Sequence, residues 1–507
     1  MESSETRFQF GPPIRSVFLG GLRHAQAGFL LVGFGSSVLF LRFVPGQIGV
    51  GIAMLTMVGG VAGAFGTIEG RPFDDWVPAS SHWAMIVLGR KRRWRSDAPG
   101  QGQTMPVAEV AKTHGRAARK AAKQSPPPPA RDWQLIYTSV SGQTMGVLRD
   151  KKAKSWVAVI GVQGQSFMLL DESEQVRRLA SWAAVQASMA RQGSPISRMQ
   201  WLERTLTEVG DEMRAFFDER ARSTNGTAAN KSYADLLVSA QPVTQQHETY
   251  LVLQVTASKA ARAIKHAGGG DRGAVAVLYR ELEHLQRRLR ESDLTVGGFL
   301  SGDELALLMR TQFDPEDALA LSAHQARSSE PLVSARSAWP MATEVSWGHY
   351  RTDNIYHITY WISEWPKLGV RPSFLAPLLL TSNGVTRTIS LVAEPIPTAQ
   401  AVKKVEHQQT ARLSDDEIRS GAGYRTGARR RREGEALDRR ENELADGHAE
   451  NRYSGYVTVS GSDLHEVEVA AATIEQVAYQ CPVELRRLWG EQDTAFYSTM
   501  PMARGLA

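Results

Sequence analysis

The pattern of hydrophobic and polar positions separates one long apolar stretch near the start of the chain from a mixed remainder. Residues 25–68 read AQAGFLLVGFGSSVLFLRFVPGQIGVGIAMLTMVGGVAGAFGTI, in which Arg42 is the one charged residue. A helix needs about 20 apolar residues to cross a membrane, and the uncharged runs 25–41 and 43–68 are both long enough. Pro45-Gly46 lies between them, as expected of a tight turn. The pattern therefore predicts a transmembrane helical hairpin.

Two other structures would give a similar apolar stretch: a secretory signal peptide and the buried hairpin of a soluble protein. A signal peptide has one short apolar region before its cleavage site, whereas a second, longer apolar run follows here at once. Four arginines flank the predicted hairpin: Arg7, Arg15, Arg23 and Arg71. Basic flanks remain on the cytoplasmic side of a membrane. We therefore expect an inner (plasma) membrane protein with a cytoplasmic lead-in at 1–24, and with both termini and the soluble body in the cytoplasm.

A basic juxtamembrane segment and Pro-rich linker follow the hairpin, at residues 69–131. Residues 90–123 include ten basic and two acidic residues, a surplus larger than the net charge of +6 of the whole chain. A basic run beside a membrane span is typical of contact with anionic lipid, and an interfacial aromatic ring is typical of the end of a span. The predicted membrane-surface residues are Arg90, Lys91, Arg92, Arg93, Arg95 and Trp76. Nucleic acid is the alternative partner of this run.

The remaining sequence alternates between strand-like and helix-like patterns. β-branched and aromatic runs predict strands at 135–140, 144–148, 155–162, 197–203, 249–256, 294–299, 385–394 and 456–460, with two more within 344–364. Apolar positions at helical spacing predict helices at 171–190 and 464–480. Further helices are expected at 273–291 and 305–311, at the polar stretch 206–224 and at the buried apolar segment 374–380.

These elements predict an α+β fold with cytoplasmic α/β-sandwich domains after the hairpin. We expect a first α+β domain at 132–325 and a second at 340–507. The second domain includes a long charged helical arm at 399–448, where large apolar residues are few. A strand–helix–strand plan recurs in the two domains, which indicates a weak internal repeat.

Sequence motifs for catalysis and metal binding are absent. There is no Gly-x-x-x-x-Gly-Lys-Ser/Thr phosphate loop and no His-Glu-x-x-His pair. Cys481 is the single cysteine, which excludes an internal disulfide and a cysteine metal cluster. The glycines at 268–270 are interpreted as a helix-start turn, and His247 and His357 as structural or surface histidines. We therefore expect no catalytic, cofactor-binding or metal-binding residues and no enzyme activity, with a membrane-anchored transferase as the alternative.

Two parts of the sequence resemble conjugative type IV secretion proteins. The hairpin followed by Gly-Arg-Pro-Phe-Asp-Asp-Trp, residues 70–76, is similar to the small two-helix inner-membrane subunits, the PrgI and TcpE-like proteins. The strands near 356–361 and 386–394, the charged arm and the closing segment at 485–501 resemble the amino-terminal, non-motor part of a VirB-type secretion ATPase. Residues 496–501, Phe-Tyr-Ser-Thr-Met-Pro, are similar to the segment that precedes the motor in those ATPases, although Met502 replaces their glycine.

The whole chain resembles a family of actinobacterial membrane proteins encoded beside a separate conjugative ATPase. This resemblance implies a non-catalytic scaffold, oligomeric with other membrane subunits, that docks a separate motor ATPase; nucleic acid would be an indirect partner. The predicted docking residues are Leu485, Leu488, Trp489, Phe496 and Tyr497, which would otherwise close the core of the last domain. A second interpretation is the membrane component E of type VII secretion, which also has two spans and a cytoplasmic α+β domain.

Overall fold

The computed structural model divides the chain into two compact units. It describes residues 24–68, 71–96, 126–163, 170–207, 245–291, 295–318, 337–366, 369–381, 386–421 and 428–506, and a few single positions between these ranges. The larger unit contains Arg93–Leu488 and Gln492–Ala507, and the smaller one contains Phe10–Arg92 and Trp489–Glu491. The predicted lead-in before residue 24 and the predicted polar helix beyond residue 207 lie outside the described residues.

The smaller unit begins with two apolar helices, as the sequence predicts. Its elements are α1 (His24–Phe43), α2 (Gln47–Phe65), β1 (Thr67–Ile68), β2 (Arg71–Pro72) and α3 (Phe73–Leu88). The turn between α1 and α2 uses Gly46 at φ 88°, a backbone conformation that favours glycine. The helices approach closely where Gly33 faces Gly60, since a Cβ on Gly33 would lie 2.8 Å from the Gly60 Cα. The two helices thus meet at small residues, a kind of contact that is common between membrane helices.

The larger unit contains two successive halves that follow a short strand, β3 (Arg93–Arg95). A short 3₁₀ helix at Pro128–Ala130 precedes the first half. The elements of the first half are β4 (Trp133–Val140), β5 (Gln143–Asp150), β6 (Ser155–Gln163), α4 (Glu172–Met189), β7 (Ile196–Thr207), β8 (Gln245–Thr256), α5 (Ala257–His266), α6 (Gly270–Glu291), β9 (Thr295–Phe299) and α7 (Gly302–Phe313).

The second half has a similar order of elements. They are β10 (Ala342–Val345), β11 (Tyr350–Thr352), β12 (Ile355–Glu364), α8 (Ala376–Leu380), β13 (Thr386–Ile396), α9 (Thr398–Gly421), α10 (Ala428–Ala445), β14 (Glu450–Gly461), α11 (Leu464–Ala478), β15 (Glu484–Arg487) and α12 (Gln492–Phe496). The predicted charged arm therefore corresponds to α9 and α10, which lie between the fourth and fifth strands of this half; residues 422–427 of the arm lie outside the described residues.

Thirteen strands among the described residues of the larger unit form one antiparallel sheet. Its order is β3-β10-β11-β12-β14-β13-β7-β8-β6-β5-β4, with β15 also paired to β12 and β9 to β6. In each half the first three strands are neighbours in sequence order, the fifth strand lies between the third and fourth, and a short sixth strand extends the pairing of the third. The topology therefore repeats, as the sequence indicates.

The two halves meet at their fourth strands. β7 and β13 pair antiparallel in an unbroken register from Arg387 opposite Thr205 to Ala393 opposite Met199. An antiparallel pair of equivalent strands relates the halves by an approximate two-fold rotation. Strands from both predicted cytoplasmic domains thus lie in one sheet, and the boundary between the domains stays a prediction.

The two faces of the sheet differ in chemistry because side chains alternate along each strand. On β12, Ile358, Tyr360 and Ile362 pack in an apolar cluster under α8 and α11, whereas His357 and Thr359 are buried on the opposite face. A second apolar cluster lies in the first half, under α4, α5 and α6. The opposite face contains buried serine, threonine and glutamine side chains and contacts α7, α12 and the last residues of the chain.

Local sequence explains where several helices begin. Ser301 caps α7 in a reciprocal capping box, in which its hydroxyl accepts from the Glu304 backbone N–H and the Glu304 side chain accepts from the Ser301 N–H. Asp171 and Asp463 cap α4 and α11 with their carboxylates. These caps satisfy backbone donors at helix starts that otherwise have no partner within the helix.

Candidate functional site

The two N-terminal helices have the properties of a membrane anchor. Both are long and apolar enough to cross a membrane by length and composition. Their large apolar side chains point outward and are exposed: Leu31, Val32, Phe34, Val38, Leu39, Leu41, Phe43, Ile48, Val50, Met54, Leu55, Met57, Val58, Val61 and Phe65. An exposed apolar surface of this size would be unstable in water.

Polar side chains of the hairpin make their hydrogen bonds within it. Ser36 Oγ donates to Gly33 O at 3.1 Å, and Thr56 Oγ1 donates to Ala53 O at 2.9 Å. Gln26 Nε2 donates across the helix pair to Ala64 O at 3.0 Å. Hydrocarbon offers polar groups no partners, so these internal bonds suit a hairpin that lies in a membrane.

The five basic residues of the predicted membrane surface are exposed, at the end of the smaller unit and the start of the larger one. Arg90, Lys91, Arg92, Arg93 and Arg95 are here named the basic run, and all five side chains are exposed. The Arg92 guanidinium lies 5.4 Å from the Trp83 ring centroid, and Arg93 Nε lies 3.0 Å from Glu344 Oε1 on β10. Trp76 is half-buried on α3. Contact between these residues and lipid stays a prediction.

The predicted docking residues differ in burial. Leu485 and Leu488 are half-buried, and Leu485 packs against the apolar cluster of the second half. Phe496 and Tyr497 are 1% and 0% exposed, and the Phe496 ring centroid lies 4.3 Å from that of His357. These two rings are buried, as the core-closing alternative expects, and docking through them stays a prediction. Docking at Leu485, Leu488 and Trp489 stays a prediction.

The chain after α12 joins the second half to the first. Gln200 on β7 is fully buried, and its Nε2 donates to Met500 O at 2.9 Å and to Ser390 Oγ on β13 at 2.8 Å. Ala503 N donates to Gln200 Oε1 at 2.8 Å. Residues 498–506 are named the C-terminal strap, since they cross the junction of the halves and hold β7. The segment that resembles the approach to a motor is therefore part of the sheet's own packing.

A cavity of about 310 Å³ lies beside α7, between the ends of β8 and β9. Arg204 is fully buried in its wall, where Nη1 donates to Thr311 Oγ1 at 2.8 Å and Nε lies 3.7 Å from Glu248 Oε2. Tyr250 OH donates to the same Glu248 oxygen, and burial together with that carboxylate raises the Tyr250 pKa. Arg204 is thus paired with Glu248, and the second carboxylate of the wall, Glu304, accepts from the Ser301 N–H at the start of α7.

Two further buried ionisable groups of the sheet, Arg387 and His357, are held by neighbouring polar groups. Arg387 donates to the carbonyls of Leu379 and Thr381 at 2.6 and 2.7 Å, and burial lowers its pKa to about 10. His357 lies between hydroxyls of Thr352 and Ser460, and burial lowers its pKa to about 3, so the ring is neutral at pH 7. Among the described residues, no group of three or more His, Cys, Asp or Glu side chains could hold a metal ion.

One stretch of the larger unit matches a known protein family. Residues 243–362 match the family described as EccE, a putative type VII ESX secretion system translocon. This stretch, about a quarter of the chain, covers β8 through most of β12 and includes Glu248, Tyr250 and α7. No curated protein matches the chain at a significant level. The match supports the type VII interpretation rather than the type IV one, and nothing in it supports a PrgI-like subunit fused to part of a VirB-type ATPase.

Proposed function

We propose that this protein is a membrane-anchored component of a type VII secretion translocon, with the role of an EccE-like subunit. The observation that carries the proposal is the family match at residues 243–362, which covers β8, β9, α7 and the first strands of the second half. The two apolar helices ahead of this body support the same role, because a translocon subunit must be held at a membrane.

The proposed role is that of a scaffold rather than an enzyme. In the part of the chain that the structure describes, Arg204 of the cavity faces Glu248, Glu304 caps α7, and burial keeps His357 neutral. These pairings support a stabilising role for the three groups. We therefore propose that the protein's partners are other membrane subunits of the translocon, with a separate motor ATPase reached through them or at Leu485 and Leu488.

The proposed topology places both termini and the sheet in the cytoplasm. The basic run supports this arrangement, since exposed basic residues next to a span stay on the cytoplasmic side and contact anionic lipid. A reporter that works only outside the cytoplasm, fused after Ala507, is expected to be silent. Activity of that reporter would contradict the topology.

Affinity purification of the full chain from membranes tests the proposed function. The tagged protein is solubilised in mild detergent, and the partners are identified by mass spectrometry. We expect the other membrane subunits of a type VII translocon, in amounts comparable to the bait. The matched control is a variant with all five residues of the basic run replaced by glutamine, which should retain these partners if they bind the hairpin or sheet. Recovery of conjugative type IV subunits instead would overturn the proposal.

A further inference from the structure

The two ends of the sheet differ in whether another strand covers the edge. The first strand of the second half, β10, has its outer edge covered by β3, with Glu344 opposite Arg93 and Ala342 opposite Arg95. The equivalent first strand of the first half is β4, at the other end of the sheet. Among the described residues, β4 pairs only with β5, and no strand covers its outer edge.

The β4 edge lacks the features that usually protect a free edge. Sheet edges are normally short, charged, bulged or interrupted by proline, because a regular edge attracts further strands. β4 has eight residues, Trp133–Val140, and pairs with β5 along its whole length without a register shift. Its sequence, WQLIYTSV, contains neither charge nor proline. Such an edge can accept another strand by main-chain hydrogen bonds.

The charges along the outer edges of β10 and β4 indicate what kind of strand can pair with each edge. At the other end of the sheet, the basic strand β3 finds a carboxylate on β10, since Arg93 Nε lies 3.0 Å from Glu344 Oε1. β4 offers no carboxylate, so a basic strand such as β3 would find no matching charge there. An uncharged strand fits, and β4 is itself such a strand.

We propose that β4 pairs antiparallel with β4 of a second copy of this chain, so that two sheets join into one across a two-fold axis. A contact between identical strands related by a two-fold axis is self-complementary. The axis is perpendicular to the sheet, which keeps the apolar face of one copy beside the apolar face of the other. Within each copy, β7 and β13 already join the halves in the same way. The dimer would therefore repeat a junction that the chain uses internally.

The two-fold geometry predicts a distinctive cross-linking pattern. Only the residue on the axis lies directly opposite itself, within the Cα separation of about 4.4–6.8 Å that a disulfide requires. Single cysteines are introduced one at a time at positions 134 to 139 of the full chain, in membranes, and oxidised; the native Cys481 is buried. We expect disulfide-linked dimers to peak at one of these positions and to fall at its neighbours. Tyr479→Cys, at an exposed position distant in sequence from β4, is the control for random collision.

Charge at the edge provides a second, independent readout. Gln134→Lys combined with Thr138→Lys puts like charges along the paired strands, where they destabilise cross-strand contact. We expect the detergent-solubilised full chain to change from a dimer mass to a monomer mass in sedimentation. Val469→Lys combined with Tyr479→Lys adds the same charge on exposed positions near or in α11 and should leave the dimer intact.

Three results would overturn the proposal. The first is a monomeric wild-type chain, and the second is a dimer that persists in the β4 lysine variant. The third is cross-linking from β4 to a different protein, which would assign the edge to another translocon subunit. An unchanged melting temperature of the lysine variant distinguishes loss of the contact from loss of folding.

Discussion

The replacement Gln200→Leu tests whether the C-terminal strap holds the two halves together. The side chain of Gln200 is fully buried. Its Nε2 donates to Met500 O, and its Oε1 accepts from Ala503 N; Met500 and Ala503 are themselves buried. Leucine has a similar volume but leaves the Ala503 N–H and the buried Ser390 Oγ without partners, whereas Met500 O keeps the bond that it accepts from Met502 N. Each buried group left unsatisfied costs about 1–3 kcal/mol, so we expect the free energy of unfolding to fall by about 2–6 kcal/mol.

The assay is denaturant unfolding of the full chain in detergent, followed by tryptophan fluorescence. The matched control is Gln254→Leu, because Gln254 is also buried on a central strand but has one bond, of 3.4 Å, to Ser155 Oγ. This control should cost about 1 kcal/mol. Faster release of the C-terminus by limited proteolysis is expected for Gln200→Leu alone. If the two variants lose equal amounts of stability, the C-terminal strap does not hold the two halves together.

Three further predictions concern the hairpin, the basic run and a buried histidine. Gly33→Leu should lower the melting temperature of the full chain, because the leucine side chain would collide with Gly60 at a cost of about 1–3 kcal/mol. Gly59→Leu should leave the melting temperature unchanged, because there is open space at Gly59. Equal effects of the two substitutions would argue against the helix contact. Trypsin should cut the basic run more slowly when the full chain is in nanodiscs of anionic lipid than in nanodiscs of zwitterionic lipid. Equal cleavage rates would contradict the predicted contact with anionic lipid. His357 has a pKa of about 3 in the folded state and of 6.5 in the unfolded state, so between these pH values only the unfolded state binds the proton. The contribution of His357 to the free energy of unfolding should therefore fall by about 1.4 kcal/mol for each pH unit below 6.5. His357→Gln should lose that slope, and a variant with an unchanged slope would contradict the neutral, buried ring.

Elements with strong alternation or helical spacing could be predicted from the sequence. The predicted strand at 135–140 accounts for six of the eight residues of β4, and the helix opened by Ser301-Gly302-Asp303-Glu304 also lies where the pattern put it. Both depend on local chemistry, namely alternating apolar positions and a capping box. The recurrence of one plan in two halves was visible for the same reason, because each half repeats the local patterns.

Elements that depend on distant contacts could not be predicted. Arg93-Trp94-Arg95 forms strand β3 only because β10, about 250 residues later, pairs with it. Helix α5 was missed because its buried face is formed by little more than Ala260 and Ile264. The position of β14 between β12 and β13 follows from the whole sheet and leaves no mark in any local window.

The polar face of the sheet is buried, which the alternation of polar and apolar residues does not predict. Alternation marks one face of each strand as polar, which normally indicates a solvated surface. Here α7, α12 and the C-terminal strap lie against that face, so Gln200, Arg204 and Thr458 are buried. The available signal was that many of its side chains are uncharged serines and threonines, which can bond to one another, as Thr359 and Thr458 do at 2.9 Å.

Secretion by cells that lack this protein tests the central claim most directly. The gene is deleted, and type VII substrates in the culture medium and the frequency of conjugative DNA transfer are measured in parallel, with the full chain restored as the control. The proposed role predicts that the type VII substrates disappear from the medium and return on restoration, while conjugative transfer is unchanged. Normal type VII secretion, or a loss of conjugative transfer alone, would contradict it.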